Sequence, residues 1–132
     1  MSKRLALSLA LLASWPASSR AQAQPLASMS CRVEAGSGRL LCTVSFSAPK
    51  ARTVSWSDAL VVAAPSAARP LRNRVTSHSD HPNQVVLAFV LGSGDGGRIA
   101  VLARAVTCPV APREGACTPV ESRVEFDFKP AS

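Results

Sequence analysis

Four cysteines are the residues whose type and spacing most directly suggest chemistry in this chain. They are Cys31, Cys42, Cys108 and Cys117. An even number of cysteines in a small secreted domain indicates a disulfide framework, and four cysteines allow three pairings. Short sequence separation favours pairing Cys31 with Cys42 and Cys108 with Cys117, and we expect both pairs to be structural disulfides.

The residues around the first pair predict two strands joined by a tight turn. Residues 31–35 and 40–46 alternate between the two faces of half-buried strands. A hairpin centred on residues 36–37 places Cys31 opposite Cys42, at a Cα separation of roughly 4.5–5.5 Å that a disulfide tolerates. A four-residue loop is favoured because it puts the cysteines at a non-hydrogen-bonded pair, where side chains approach most closely.

The second pair encloses a loop, because two prolines and a glycine separate Cys108 from Cys117. A disulfide here would tie the end of one strand to the start of the next and could face solvent. Arg113 lies between the two cysteines in the sequence and could favour a thiolate on either of them. The alternatives are therefore a second structural disulfide or a redox-active pair.

The remaining motifs of the sequence do not predict a cofactor or a catalytic residue. His78 and His81 flank an aspartate and could form part of a metal site, but they lie in a polar segment without an evident third ligand. A solvated loop is therefore the main interpretation. The glycines of residues 92–97 match the spacing of a dinucleotide-binding motif, but a strand follows them instead of a helix, which indicates a loop. No serine-hydrolase motif is present.

The first 23 residues have the three parts of a secretory signal peptide. Lys3 and Arg4 form the positive region, an uncharged apolar run follows at residues 5–15, and a cleavage site with two small residues comes last. The apolar run is shorter than the ~20 residues that a membrane span needs. We therefore predict a signal peptide at 1–23, a single mature domain at 24–132 without a membrane span, and a periplasmic or secreted location.

Charge and composition narrow the class of partner. Removal of the signal peptide takes away three basic residues and lowers the formal net charge from +7 to about +4. The mature chain has no tyrosine and few other aromatic residues to stack on bases. A nucleic-acid partner is therefore not expected. The basic cluster of Arg69, Arg72 and Arg74 is interpreted as a solvated loop, with anion binding as the alternative.

The remaining segments predict further short strands. We expect strand segments at residues 53–57 and 58–62 on either side of a kink at 57–58, which count as one strand, and strands at 84–91, 98–106 and 120–128, while residues 71–76 could form a short edge strand. The strand at 84–91 is continuously apolar, which favours burial on both faces, and it should form a hairpin with the strand at 98–106. In the last strand, Val124, Phe126 and Phe128 should face the core while the charged residues between them face water.

Six or seven short strands without an amphipathic helix predict a small antiparallel β-sandwich of immunoglobulin-like type. In that fold, Trp56 is the candidate for the buried tryptophan of the core.

The last quarter of the chain resembles a known family. A strand, Cys108, a loop, the run Gly115-Ala116-Cys117-Thr118-Pro119 and an alternating strand follow one another. This arrangement is similar to the N-terminal periplasmic domain of the thiol:disulfide interchange reductase DsbD, which is an immunoglobulin-like sandwich. The resemblance implies that Cys108 and Cys117 would exchange electrons with the cysteines of a partner through a mixed disulfide.

The main functional expectation is an exported, non-catalytic β-sandwich that binds or supports a partner protein of the cell envelope. The alternative is an enzyme, a thiol-disulfide oxidoreductase that uses Cys108 and Cys117. The third hypothesis is a metal carrier that uses His78 and His81.

Overall fold

The computed structural model describes residues 26–130, which contain eight β-strands. The strands are β1 (Ala27–Val33), β2 (Arg39–Phe46), β3 (Arg52–Ala63), β4 (Ala68–Pro70), β5 (Arg74–Thr76), β6 (Gln84–Leu91), β7 (Gly97–Pro109) and β8 (Thr118–Phe128). The predicted signal peptide at residues 1–23 lies outside the described residues. In the described range, no helix is long and apolar enough to cross a membrane.

The strands form two antiparallel sheets of four. The first sheet has the order β1-β2-β6-β4, and the second sheet has the order β5-β3-β7-β8. Strands β1, β2, β6 and β4 take the A, B, E and D positions of an immunoglobulin constant-type sandwich, and β3, β7 and β8 take the C, F and G positions. The short strand β5 is an additional edge beside β3. The predicted β-sandwich is thus confirmed, and it has eight strands where six or seven were predicted.

The core lies between the inner faces of the two sheets and combines large side chains with small ones. The first sheet contributes Leu40, Val44, Phe46, Leu87 and Phe89, all at most 5% exposed. Opposite them, the middle of the second sheet contributes Ala59, Ala103 and Ala105. The second sheet also contributes Ile99, Val101 and Phe128, so the core combines large side chains from both sheets with a group of alanines.

The hairpin predicted between the strands at 84–91 and 98–106 is wrong. Strand β6 pairs with β2 and β4 in the first sheet, whereas β7 pairs with β3 and β8 in the second. The two strands thus belong to opposite sheets, and across the core β6 lies nearest to β3 and β5. Strand β6 is also open on one face, since Val86 is 46% exposed.

Two other details differ from the sequence expectation. The segment expected to kink at residues 57–58 is one strand of twelve residues with irregular pairing between Val54 and Trp56 and between Val61 and Ala63. The short edge strand expected at 71–76 is present only as the three residues of β5, and a separate short edge strand, β4, precedes it in the other sheet. The polypeptide crosses from one sheet to the other between them, so the predicted basic cluster is divided.

The first predicted disulfide lies within the first sheet. Cys31 pairs directly with Cys42 across β1 and β2, and their Cα atoms are 4.0 Å apart. The Glu34 N–H donates to the Arg39 carbonyl at 2.8 Å, which leaves a four-residue loop. Because hydrogen-bonded and non-hydrogen-bonded pairs alternate, the cysteines occupy a non-hydrogen-bonded pair. The hairpin, its loop length and its disulfide are confirmed.

Replacing both Cys31 and Cys42 with alanine should lower the free energy of unfolding by about 2–3 kcal/mol, because the disulfide restricts the unfolded chain. Urea denaturation of the oxidised protein measures the change. As a control, Ser30→Ala with Thr43→Ala alters the neighbouring cross-strand pair and should cost less than about 0.5 kcal/mol. Equal losses in the two double variants would contradict a stabilising role for this disulfide.

Candidate functional site

The outer face of the second sheet, which points away from the first sheet, carries a row of charged side chains. Side chains along β7 alternate between the core and this outer face, so Arg104, Val106 and Cys108 share the outer face. Asp58 of β3 and Glu121 of β8 flank Arg104 in the strand register. The register thus places an acid, a base and an acid side by side across three strands.

Asp58 is fully buried although it lies on this outer face, because two arginines cover it. The Arg104 Nε atom donates to Asp58 Oδ1 at 2.8 Å, and Arg104 Nη2 donates to Oδ2. From β5, Arg74 Nε donates to the same Oδ2 at 2.8 Å. We call Asp58, Arg74 and Arg104 the ion cluster. Both carboxylate oxygens have partners, as a buried charge requires.

The two arginines remain partly accessible while Asp58 holds them. The side chain of Arg104 is 34% exposed and that of Arg74 is 56% exposed. The hydrogen bonds from Arg104 to Asp58 raise the pKa of Arg104 above its usual value. The ion cluster therefore presents two fixed positive groups to solvent over a single buried negative one.

Trp56 lies beside the ion cluster and not in the core, so its predicted role as the buried tryptophan is wrong. It is half-buried and pairs with Val106 on β7. The irregular pairing between Val54 and Trp56 is a β-bulge, and the extra residue, Ser55, moves Trp56 to the outer face. The next inward position is taken by Ser57, whose hydroxyl donates to the Pro82 carbonyl.

An open groove of about 570 Å³ runs over the ion cluster and Trp56. Its lining is Trp56, Arg74, Arg104, Ala105, Val106, Pro119, Val120 and Glu121. One wall is apolar, with an indole and a proline, and the other is charged. This arrangement can bind a ligand that has an apolar group next to a charged one. We call this feature the groove.

The second predicted disulfide closes the end of the second sheet next to the groove. Cys108 and Cys117 are bonded, with Cα atoms 4.2 Å apart, and they join the end of β7 to the start of β8. Cys108 is half-buried and Cys117 is exposed. The hydroxyl oxygen of Ser55, which precedes Trp56, lies 3.4 Å from Cys108 Sγ. The predicted loop-end disulfide is confirmed, and it borders the groove.

Arg52 fixes the strand ends that carry this disulfide. Its Nε donates to Thr107 Oγ1 at 3.0 Å, and its Nη2 donates to the carbonyls of Thr107 at 2.7 Å and Ala116 at 3.1 Å. Nη2 also lies 3.1 Å from Thr118 Oγ1. These residues are direct neighbours of the two cysteines. One guanidinium therefore holds both strand ends in place.

The other residues singled out from the sequence take no part in this arrangement. Arg113 is exposed, and within residues 26–130 its side chain makes no hydrogen bond or ion pair. His78 and His81 are both exposed in the loop before β6. Among the described residues, no group of three or more His, Cys, Asp or Glu side chains could hold a metal ion.

The sequence does contain a signal for the ion cluster. Asp58 interrupts the apolar stretch of β3, and Arg104 interrupts that of β7. Charged residues inside strands need a partner when they become buried. Such a pattern favours an ion pair, but the pairing depends on strand register, and the bulge at Ser55 shifts that register.

Comparison of the chain with protein-family models, with curated proteins and with solved structures finds no match. The candidate functional residues are therefore those that the fold itself brings together. They are the ion cluster, Trp56 with the groove, and the exposed disulfide at the end of the second sheet.

Asp58→Asn should lower the free energy of unfolding by about 2–3 kcal/mol, because it removes the charge that two arginines share in a buried site. The loss should fall at or below the usual range for buried pairs, since both arginines can turn toward water. Asp127→Asn is the matched control, because Asp127 is 73% exposed in its pair with Arg98. That variant should change stability by less than about 0.5 kcal/mol. Urea denaturation distinguishes the two, and similar small effects would argue against a stabilising ion cluster.

Proposed function

We propose that this protein is an exported, non-catalytic binding module of the cell envelope that recognises a partner protein through the groove. The observation that carries the proposal is the ion cluster, in which a buried carboxylate holds two accessible guanidinium groups beside Trp56. Tryptophan and arginine are the residues that most often dominate the affinity of protein interfaces.

Pre-organisation is the physical reason why this arrangement suits binding. A free arginine side chain loses rotamer freedom when it is immobilised in an interface, which costs about 0.5–1.5 kcal/mol. Arg74 and Arg104 are already held by Asp58 in the unbound protein. Folding has therefore already removed the rotamer freedom of these two side chains, and binding a partner does not remove it again.

The lining of the groove indicates the chemistry of the partner. Glu121 adds a negative group to the two arginines, and Trp56 and Pro119 add an apolar wall. A polypeptide segment with an apolar side chain between charged neighbours complements these groups. A small uncharged metabolite would contact the apolar wall but would form no charge-assisted hydrogen bond with the arginines or with Glu121.

Two disulfides support the proposed location. Both cysteine pairs are bonded, and no free cysteine is present in the described range. Disulfides persist in oxidising compartments such as the periplasm and the extracellular space. The signal peptide proposed at residues 1–23 would deliver the chain to such a compartment. The protein proposed here is therefore periplasmic or secreted.

Site-specific photo-crosslinking in intact cells tests the proposal. A photoreactive amino acid at Pro119, in the groove, should give a discrete adduct with one envelope protein. The same group at Glu125, further along the outer face of β8, serves as the control position. Trp56→Ala should remove the adduct formed from position 119, because the indole forms the apolar wall.

The interpretation requires that the Trp56→Ala protein is folded, which urea denaturation checks. Adducts of equal yield from positions 119 and 125 would show that the groove has no special role. An adduct that survives Trp56→Ala in a folded protein would likewise reject the groove as the binding surface.

A second candidate function is thiol-disulfide exchange through Cys108 and Cys117. The exposure of Cys117 favours this function, because an attacking thiolate must reach a sulfur atom. The similarity of this segment to the DsbD domain points the same way. A partner thiolate would attack Cys117 Sγ, break the S–S bond and release Cys108 as a thiolate. Attack by a second partner thiol on the mixed disulfide would complete the transfer of two electrons.

Titration of the mature protein against glutathione buffers separates the two functions. As a binding module, the protein should keep both disulfides closed until the potential falls below about −300 mV, as structural disulfides do. The Cys31–Cys42 pair is an internal reference, since Cys42 is fully buried. Selective opening of Cys108–Cys117 well above that potential would instead establish the exchange function.

A further inference from the structure

The two sheets differ in the charges that their strands carry. The strands of the first sheet contain three arginines, Arg32, Arg39 and Arg69, and no aspartate or glutamate. The strands of the second sheet contain four acidic residues and five arginines. Every one of those five arginines donates at least one hydrogen bond from its side chain.

The arginines of the first sheet are exposed and have no such partners. Within residues 26–130, the side chains of Arg32, Arg39 and Arg69 make no hydrogen bond and no ion pair. Glu34 lies opposite Arg39 at the turn, but its carboxylate accepts the Ser37 hydroxyl at 2.8 Å instead. Three guanidinium groups on one side of the molecule are therefore free to bind carboxylates.

These arginines surround an apolar centre on the outer face of the first sheet. The register places Leu41 and Ala88 in one row with Arg32, and it places Val90 between Arg39 and Arg69 in the next. Leu71 and Val86 extend the centre, and they are 48% and 46% exposed. We call this surface the basic apolar face. Its members are Arg32, Arg39, Leu41, Arg69, Leu71, Val86, Ala88 and Val90.

The spacing of the arginines fits an extended acidic segment. Arg32 is on β1 and Arg69 is on β4, which are the opposite edges of the first sheet. Three strand spacings separate these edges, or roughly 14 Å, and the offset of one row between Arg32 and Arg69 brings the distance between their Cα atoms to roughly 16 Å, which long side chains can span. In an extended polypeptide, residues four apart point to the same side and lie roughly 13 Å apart. Two glutamates at that spacing can reach both edges, while the residue midway between them contacts the apolar centre.

We propose that the basic apolar face binds a segment of a partner protein in which acidic residues flank an apolar one. The planar fork of arginine matches the geometry of a carboxylate and favours bidentate binding. An exposed apolar patch with a charged rim is also the usual anatomy of a protein interface. This surface is distinct from the groove, because it lies on the opposite sheet.

Two other occupants fit the face less well. A membrane surface is disfavoured because no aromatic side chain lies on this face to anchor in the interface, as Phe46 and Phe89 are buried and Trp56 is on the other sheet. A second copy of the chain is disfavoured because a face-to-face dimer would bring like charges together. An acidic protein segment satisfies both the charges and the apolar centre.

Calorimetric titration of the mature protein with a twelve-residue peptide tests the proposal. The peptide repeats glutamate, serine, leucine and serine, and its counterpart has lysine in place of glutamate. The acidic peptide should bind, and the lysine peptide should not. Arg32→Gln with Arg69→Gln should weaken the binding by roughly tenfold or more, because both edges lose their charge. Val86→Ser should weaken it a few-fold through the apolar centre.

The matched control is Arg98→Gln with Arg123→Gln, which removes the same charge from exposed, paired arginines on the second sheet. That variant should change the affinity by less than about twofold. Equal losses in the two double variants would mean non-specific attraction and would overturn the proposal. The proposal would also be overturned if the acidic peptide did not bind, or if the protein bound anionic phosphatidylglycerol vesicles instead of the peptide. Because these variants leave Trp56 unchanged, the result is independent of the groove.

Discussion

The side chain of Asp58 points to the outer face of a sheet, yet it is fully buried, because Arg74 and Arg104 cover it and donate hydrogen bonds to it. A buried carboxylate without partners costs several kcal/mol, so β3, β5 and β7 must keep the register that brings Arg74 and Arg104 to Asp58. The same register places Trp56 next to the arginines. The strand register that buries Asp58 therefore also forms the candidate recognition surface.

Neither disulfide connects the two sheets. The first joins β1 to β2 in the first sheet, and the second joins the end of β7 to the start of β8 in the second. The typical antibody domain instead links its B and F strands across the core. Here the sheets are held together by apolar side chains packed between them, including Leu87 and Phe89 of the first sheet and Ile99 and Val101 of the second. The disulfides fix individual hairpins, and the second one fixes the border of the groove.

Local patterns predicted the features that depend on neighbouring residues. The alternation around Cys31 and Cys42 gave their pairing, and the alternation in β8 gave its buried side, with Val124 and Phe126 half-buried and Phe128 buried. Features that depend on distant contacts were not predictable in this way. The apolar pattern of β6 cannot show whether β7 lies beside it or across the core. A one-residue bulge at Ser55 likewise reversed the expected side of Trp56, because each residue added to a strand exchanges its faces.

The charges of the strands are divided unevenly between the two sheets. In the second sheet, acids and arginines alternate across the strands and largely neutralise one another. Most of the excess positive charge therefore remains on the first sheet, where Arg32, Arg39 and Arg69 have no acidic neighbour within ion-pair distance among the described residues. The first sheet therefore leaves its arginines and its apolar centre available to another molecule, whereas the second sheet presents the two arginines that Asp58 holds beside Trp56.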